Sequence, residues 1–465
     1  MEMESGRLMQ VGLLHGDREG SRKLLEKIKP VSIIIMSDDF KNLEDLSELI
    51  KWIKNLYIKE FKLREPLIAV DQEGGNVARI REINYPPSNY ALGLIDNENT
   101  SYYSGAITGK ELHDLGFHWD LAPVIDVLSN KENASVLERA FGEYVDKVSR
   151  NGAAFIRGLQ DFGISATAKH FPGNGSVVED PHEKLPRDRR GIDSVRNTMA
   201  PFIRAAEEGV RSIMVSHVAF DAIDEGIPSS LSKKVYKIIR DEMRYGGLVI
   251  TDSLDMKAIS DNFSPGEIVR NSFLNGADIL ECVDPYLAEN IYDHLKNLGS
   301  SGIEERLNSL YLERKRNYDP PEEIMFSLSF SVPKWLRKRI MDPSEDIFIY
   351  YAGKTSYMRA IISRVMVRLR NIGISVSPME IEDEKKGANI IIIGKNLHLN
   401  GRYAEINRLC SRNSCVFINT GIPYDSPLLD GNIGYVAAFG DKYENIISSI
   451  YAILGFHDLG FFDQK

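Results

Sequence analysis

The sequence predicts an α/β protein: an N-terminal (β/α)8 barrel over residues 1–300, a connector over 301–345 and a smaller C-terminal α/β domain over 346–465. Short apolar runs alternate with longer amphipathic stretches through the first 300 residues, and there are eight such runs. The alternation then breaks at a Pro-, Arg- and Lys-rich stretch and resumes on a smaller scale. A short apolar run without polar alternation fits a strand buried on both faces. Helices between such strands imply βαβ units and a parallel sheet. Eight repeats over this length match the size of a (β/α)8 barrel.

The eight strand candidates are Leu8–Leu14, Val31–Met36, Pro66–Val70, Phe117–Ala122, Ile164–Ala168, Arg211–Val215, Gly247–Thr251 and Ala277–Cys282. Helix-like segments lie between them, among them Ser101–Leu115, Lys147–Phe162 and Ser194–Glu208. In the connector, Pro320-Pro321 and Pro333 interrupt regular structure, and Arg314-Lys315-Arg316 and Arg337-Lys338-Arg339 charge it. The second domain offers strands at Ile347–Ala352, Ile374–Ser377, Asn389–Gly394, Cys415–Thr420 and Ile433–Phe439, with a helix at Ser356–Asn371. That pattern reads as an open, mostly parallel sheet packed by helices. Gly353-Lys354-Thr355 lacks the upstream glycine of a phosphate-binding loop, so no nucleotide site is expected there.

Composition narrows the function classes. The chain has 465 residues, 43% hydrophobic and 27% charged, in the range of soluble globular proteins. A net charge of −10 without a basic stripe argues against nucleic acid as a partner. No apolar run reaches the length of a membrane span, and the acidic start Met1-Glu2-Met3-Glu4 lacks a signal-peptide core. Cys282, Cys410 and Cys415 have neither disulfide-framework nor zinc spacing, and the latter two read as packing residues. A reduced, cytoplasmic setting is expected.

In a barrel of this kind the chemistry gathers at the carboxyl ends of the strands. Four polar clusters fall there: Asp71-Gln72-Glu73-Gly74-Gly75 after the third run, Lys169-His170 after the fifth, Ser216-His217 after the sixth and Asp252 after the seventh. The fifth run leads into Phe171-Pro172-Gly173-Asn174-Gly175 and then Asp180-Pro181-His182. In an extended loop residues i and i+2 point the same way, so Asp180 can orient the His182 imidazole for proton transfer. A lone strand-end aspartate is often only a helix cap, and Glu73 reads as structural, turned away from the cavity beneath the Gly-Gly turn. Four clusters on one rim favour chemistry. Asp252 can attack an electrophilic carbon, and His182 can protonate a leaving group. Asp71, Arg139, Lys169 and His170 can give charged hydrogen bonds to a hydroxyl-rich ligand, with His217 near the same place. A nucleophilic carboxylate with a separate proton donor is the logic of retaining glycoside hydrolysis.

The motifs resemble those of glycoside hydrolase family 3, and within it the NagZ-like β-N-acetylglucosaminidase branch. The resemblance rests on Asp71-Gln72-Glu73-Gly74-Gly75, Arg139-Ala140-Phe141-Gly142, Lys169-His170-Phe171-Pro172-Gly173, Asp180-Pro181-His182, Met214-Val215-Ser216-His217 and Thr251-Asp252-Ser253-Leu254-Asp255-Met256, in that order over most of residues 9–300. It implies a retaining exo-acting enzyme with Asp252 as nucleophile and His182 as general acid/base, paired with Asp180. It also implies a sugar subsite lined by Asp71, Arg139, Lys169 and His170, and a C-terminal α/β sandwich domain with a role in stability or dimerisation. Asn174, Ser176, Pro181 and Asn76 stand where the branch usually has His, Asp, Ser and Arg. Pro181 stiffens the Asp-x-His segment, and Asn76 bears on contacts to the aglycone.

Neither metal nor cofactor is expected. The partner is an oligosaccharide or small molecule with terminal N-acetylglucosamine. Four other readings stand beside the main one: a phosphorylase using phosphate as acceptor, another family 3 β-glycosidase, a Schiff-base lyase on Lys169, and a non-catalytic sugar-binding paralogue.

Overall fold

The computed structural model describes residues 5–179, 184–296, 298, 304–311, 346–352, 356–371, 374–379, 388–394, 403–419, 434–437, 446 and 450. The chain divides into two compact units, Met1–Glu322 and Glu323–Lys465. The first contains eight parallel strands: β1 Met9–Val11, β2 Ser32–Ile34, β3 Leu67–Val70, β4 Trp119–Asp120, β5 Ser165–Phe171, β6 Ser212–Val215, β7 Leu248–Thr251 and β8 Leu280–Cys282. Each lies beside its sequence neighbour, and β8 pairs with β1. An isolated parallel bridge between Ile250 of β7 and Ile279 closes the ring. Every residue of these eight strands is buried. Both faces of the sheet are thus covered, which is why most strand residues are apolar.

Local chemistry places the helices. Asp284 caps the helix Pro285–Leu295 by accepting from Leu287 N, with proline at the first position, where no amide hydrogen is needed. Ser264 and Glu267 form a reciprocal capping box at the start of Pro265–Phe273. The single helix expected over Ser194–Glu208 is two, Ile192–Thr198 and Ala200–Glu207. Pro201 lies in the first turn of the second, and its ring cannot continue a helix from the preceding turn. No helix among the described residues is long and apolar enough to cross a membrane.

The second unit is a five-stranded parallel sheet, β9 Ile347–Tyr351, β10 Val376–Met379, β11 Asn389–Gly394, β12 Ser414–Asn419 and β13 Gly434–Ala437, in the order β10-β9-β11-β12-β13. Alternate residues feed two cores. Ile349, Ile391, Ile393 and Ile418 pack with Val365 and Leu369 of the helix Ser356–Asn371. Tyr350, Ile390, Ile392 and Phe417 pack with Ile406 of the helix Tyr403–Cys410. A sheet with a helix on each face is the sandwich expected from the sequence.

One expectation is corrected. Cys410 and Cys415 are joined in a disulfide with Cα atoms 5.5 Å apart. The short turn from helix to strand brings them within bridging range, a closeness that their spacing alone did not reveal. The absence of a disulfide therefore no longer supports a reduced setting. Cys282 is free and buried.

Candidate active site

A cavity of about 710 Å³ opens at the carboxyl ends of the barrel strands. Its wall includes Asp71, Glu73, Arg139, Lys169, His170, Asn174, Asp252 and Glu281. Of the residues singled out from the sequence, the structure brings Asp71, Arg139, Lys169, His170 and Asp252 to this wall. His217 lies beside Asp252 without lining the cavity: its Nδ1 is 2.7 Å from Ser230 Oγ and its Nε2 is 2.8 Å from Ser253 O. Asp180 and His182 are outside the described residues.

Lys169, near the end of β5, is buried among carboxylates. Its Nζ is 2.7 Å from Asp71 Oδ1 and 2.7 Å from Glu73 Oε1. Arg139 grips Glu73 with two parallel bonds, Nε and Nη2 each 2.8 Å from a carboxylate oxygen, and its Nη1 donates to Ser135 O. Charges this deep are tolerated because each is paired. Burial alone would raise the carboxyls of Asp71 and Glu73, but the cations hold both below their ordinary range: Lys169 and Arg79 at Asp71, Arg139 and Lys169 at Glu73. Burial likewise works against the Lys169 ammonium, and Asp71 and Glu73 overcome it and raise its pKa. A lysine held as an ammonium is a hydrogen-bond donor and is not poised to form a Schiff base. Glu73 also departs from the sequence expectation. It faces the cavity rather than away from it, because the turn at Gly74 and Gly75, both at positive φ, folds the Gln72–Gly74 segment back along Val77–Ala78.

His170 follows Lys169 and is anchored by Asp126, which sequence reasoning missed. Asp126 Oδ2 is 2.9 Å from His170 Nδ1, and Oδ1 accepts from His170 N at 3.2 Å and Asn174 N at 2.7 Å. One buried carboxylate thus orients the imidazole and ties down the Gly173–Gly175 loop. The available signal was a single acidic residue in the apolar run Val124-Ile125-Asp126-Val127-Leu128 beyond β4.

Asp252 follows β7. Its N–H donates to Val215 O at 2.9 Å, and its Oδ1 accepts from Ser253 N at 2.9 Å. Burial pushes its carboxyl up, but the neighbouring His170 and His217, the Ser253 amide and Lys169 hold it below the ordinary range. His217 is pushed the other way: burial lowers its pKa more than Asp252 raises it. The site therefore presents an ionised carboxylate, with no ion-pair partner among the described residues, near the charged donors Lys169 and Arg139. That arrangement can bind a polyol and offer it a nucleophile.

The sequence profile of the Glycosyl hydrolase family 3 N terminal domain matches residues 1–310. A Beta-hexosaminidase of Vibrio cholerae serotype O1 is 31% identical over 280 residues, 59% of this chain and 82% of that protein. Beta-hexosaminidase A of Pseudoalteromonas piscicida is 31% identical over 268 residues, 53% of this chain but only 44% of that longer protein. A family 3 β-N-acetylglucosaminidase structure from Paenibacillus sp. str. FPU-7 superposes with a TM-score of 0.83 at 22% identity, covering 97% of this chain and 96% of that one, and so shares the fold.

Proposed function

The chain belongs to glycosyl hydrolase family 3, and from that membership we propose that it is a retaining exo-acting β-N-acetylglucosaminidase with Asp252 as its nucleophile. The observation that carries the reading is Asp252 at the end of β7, on the wall of a cavity where Lys169 and Arg139 are held in place by the carboxylates of Asp71 and Glu73. The β-hexosaminidase relatives support N-acetylglucosamine as the sugar.

In the first step an Asp252 oxygen forms a bond to the anomeric carbon as the glycosidic C–O bond breaks. The leaving oxygen takes a proton from His182, which Asp180 orients. In the second step His182 takes a proton from water, the water oxygen bonds to the anomeric carbon, and Asp252 is released. Asp71, Arg139, Lys169 and His170 hold the sugar hydroxyls, and His217 supports the same subsite from beside Asp252. The roles of His182 and Asp180 rest on the sequence motif.

The test is a panel of aryl β-glycosides (N-acetylglucosaminide, glucoside, xyloside and galactoside) assayed with and without phosphate. The N-acetylglucosaminide is turned over fastest and releases free sugar. Accumulation of sugar 1-phosphate would instead assign phosphate as the acceptor. Asp252→Asn lowers kcat by roughly a thousandfold or more. Near-normal turnover in that variant would remove Asp252 from the nucleophile's role.

A further inference from the structure

One buried acid on the cavity wall has no part in the mechanism above. Glu281 lies in β8 and is 3% exposed. It stands in register with Gln10 of β1, whose Nε2 donates to Glu281 Oε2 at 3.1 Å. Behind it, Ser32 Oγ on β2 lies 2.8 Å from Gln10 Oε1 and 3.2 Å from Leu67 O, and its single proton goes to the nearer Gln10 Oε1. With its oxygen engaged as an acceptor, the Gln10 amide presents its NH2 to Glu281. Oε2 is therefore an acceptor, and a proton carried by Glu281 resides on Oε1. Oε1 has no hydrogen-bond partner among the described residues, and Glu281 lines the cavity.

The charged groups around it are Asp71 after β3, Lys169 of β5, and Asp252 and Asp255 after β7. Burial and the negative charges of Asp71 and Asp252 push the Glu281 carboxyl well above the ordinary range, and Lys169 opposes them only in part. A neutral carboxylic acid has an O–H to donate, and a carboxylate in the same place has none.

We propose that Glu281 is a further sugar-binding residue, donating a hydrogen bond from Oε1 to an oxygen of the sugar held over Asp252. This rests on the glycosidase reading for the identity of the ligand. Ionisation of Glu281 would replace a donor with a charged acceptor and set it against Asp71 and Asp252, so sugar binding weakens as pH rises through its titration.

The experiment compares wild type, E281Q and E281L by kcat/KM on the aryl N-acetylglucosaminide and by calorimetric Kd for free N-acetylglucosamine. Glutamine keeps an acceptor for Gln10 and a donor for the cavity, and leucine removes both. E281L weakens kcat/KM and sugar binding by roughly 10- to 100-fold. E281Q recovers most of that loss, and its sugar Kd rises less than that of wild type between about pH 6 and pH 9. Wild-type affinity in E281L, or E281Q as impaired as E281L, overturns the proposal. Should E281L not fold, infrared difference spectra of wild type against E281Q decide. A protonated carboxyl band at neutral pH that vanishes in E281Q supports the neutral donor, and its absence overturns it. Sugar binding without turnover in wild type would sink the glycosidase reading but leave Glu281 to be judged by its Kd ratios. Failure to bind the sugar would sink both.

Discussion

At the scale of single residues, Asp126 does two jobs that substitution can separate. Its Oδ2 fixes Nδ1 of His170, and its Oδ1 satisfies the buried amides of His170 and Asn174. Asp126→Asn keeps an oxygen for the two amides but sets an NH2 against Nδ1, which reverses the imidazole's donor and acceptor sides. That variant is expected to hold its melting temperature within a few degrees while kcat/KM falls about 10- to 100-fold. Asp126→Ala loses the same activity and leaves both amides unpaired, costing about 2–3 kcal/mol in denaturant unfolding. Equal stability in the two variants would show that Asp126 does not hold the loop. Asp252, Lys169 and His170 were legible in the sequence because strand ends carry the chemistry of a barrel. Asp126 was not, because it lies past a strand end within an apolar run. Glu73 was misjudged because its direction depends on two positive-φ glycines that sequence does not display.

At the scale of elements, the barrel's outer layer depends on close helix approach. The helices Glu98–Leu115 and Val145–Asp161 cross at glycines. A Cβ on Gly158 would lie 2.0 Å from Tyr102 O, and one on Gly105 would lie 2.1 Å from Phe155 O. Backbone is on the other side in both cases, so the helices themselves must separate. Gly158→Ala is expected to destabilise by about 1–3 kcal/mol or more, despite alanine's better helix propensity. A neutral or stabilising result on chemical denaturation would mean that the crossing can relax. The barrel strands were legible because burial on both faces favours mostly apolar runs. Strand ends were less so: the run beginning at Ile374 opens its strand only at Val376, because Ile374 N still bonds to Leu369 O at the end of the preceding helix.

At the scale of the whole molecule, a net charge of −10 says nothing about which carboxylates are buried, yet these set the pH range of stability. Two groups pull in opposite directions. Asp71, Glu73 and Asp252 have folded pKa values below the ordinary range. Their stabilisation is complete above the unfolded-state value and is lost as pH falls through the folded one. Asp120 and Glu281 are raised well above that range, by burial first and nearby carboxylates second. Their contribution is complete below the unfolded-state value and is lost as pH rises through the folded one. Thermal unfolding should therefore show a maximum with separable limbs. E73Q lowers Tm at neutral pH, because Arg139 and Lys169 lose a shared partner, and it flattens the acid limb. E281Q cannot ionise, so it flattens the alkaline limb and leaves the acid limb as in wild type. Tm measured for the three proteins between about pH 4 and pH 9 checks this. An alkaline limb as steep in E281Q as in wild type would place the titrating acid elsewhere, with Asp120 next to be tested. The buried Oδ2 of Asp120, which has no hydrogen-bond partner among the described residues, makes Asp120→Asn the matching substitution.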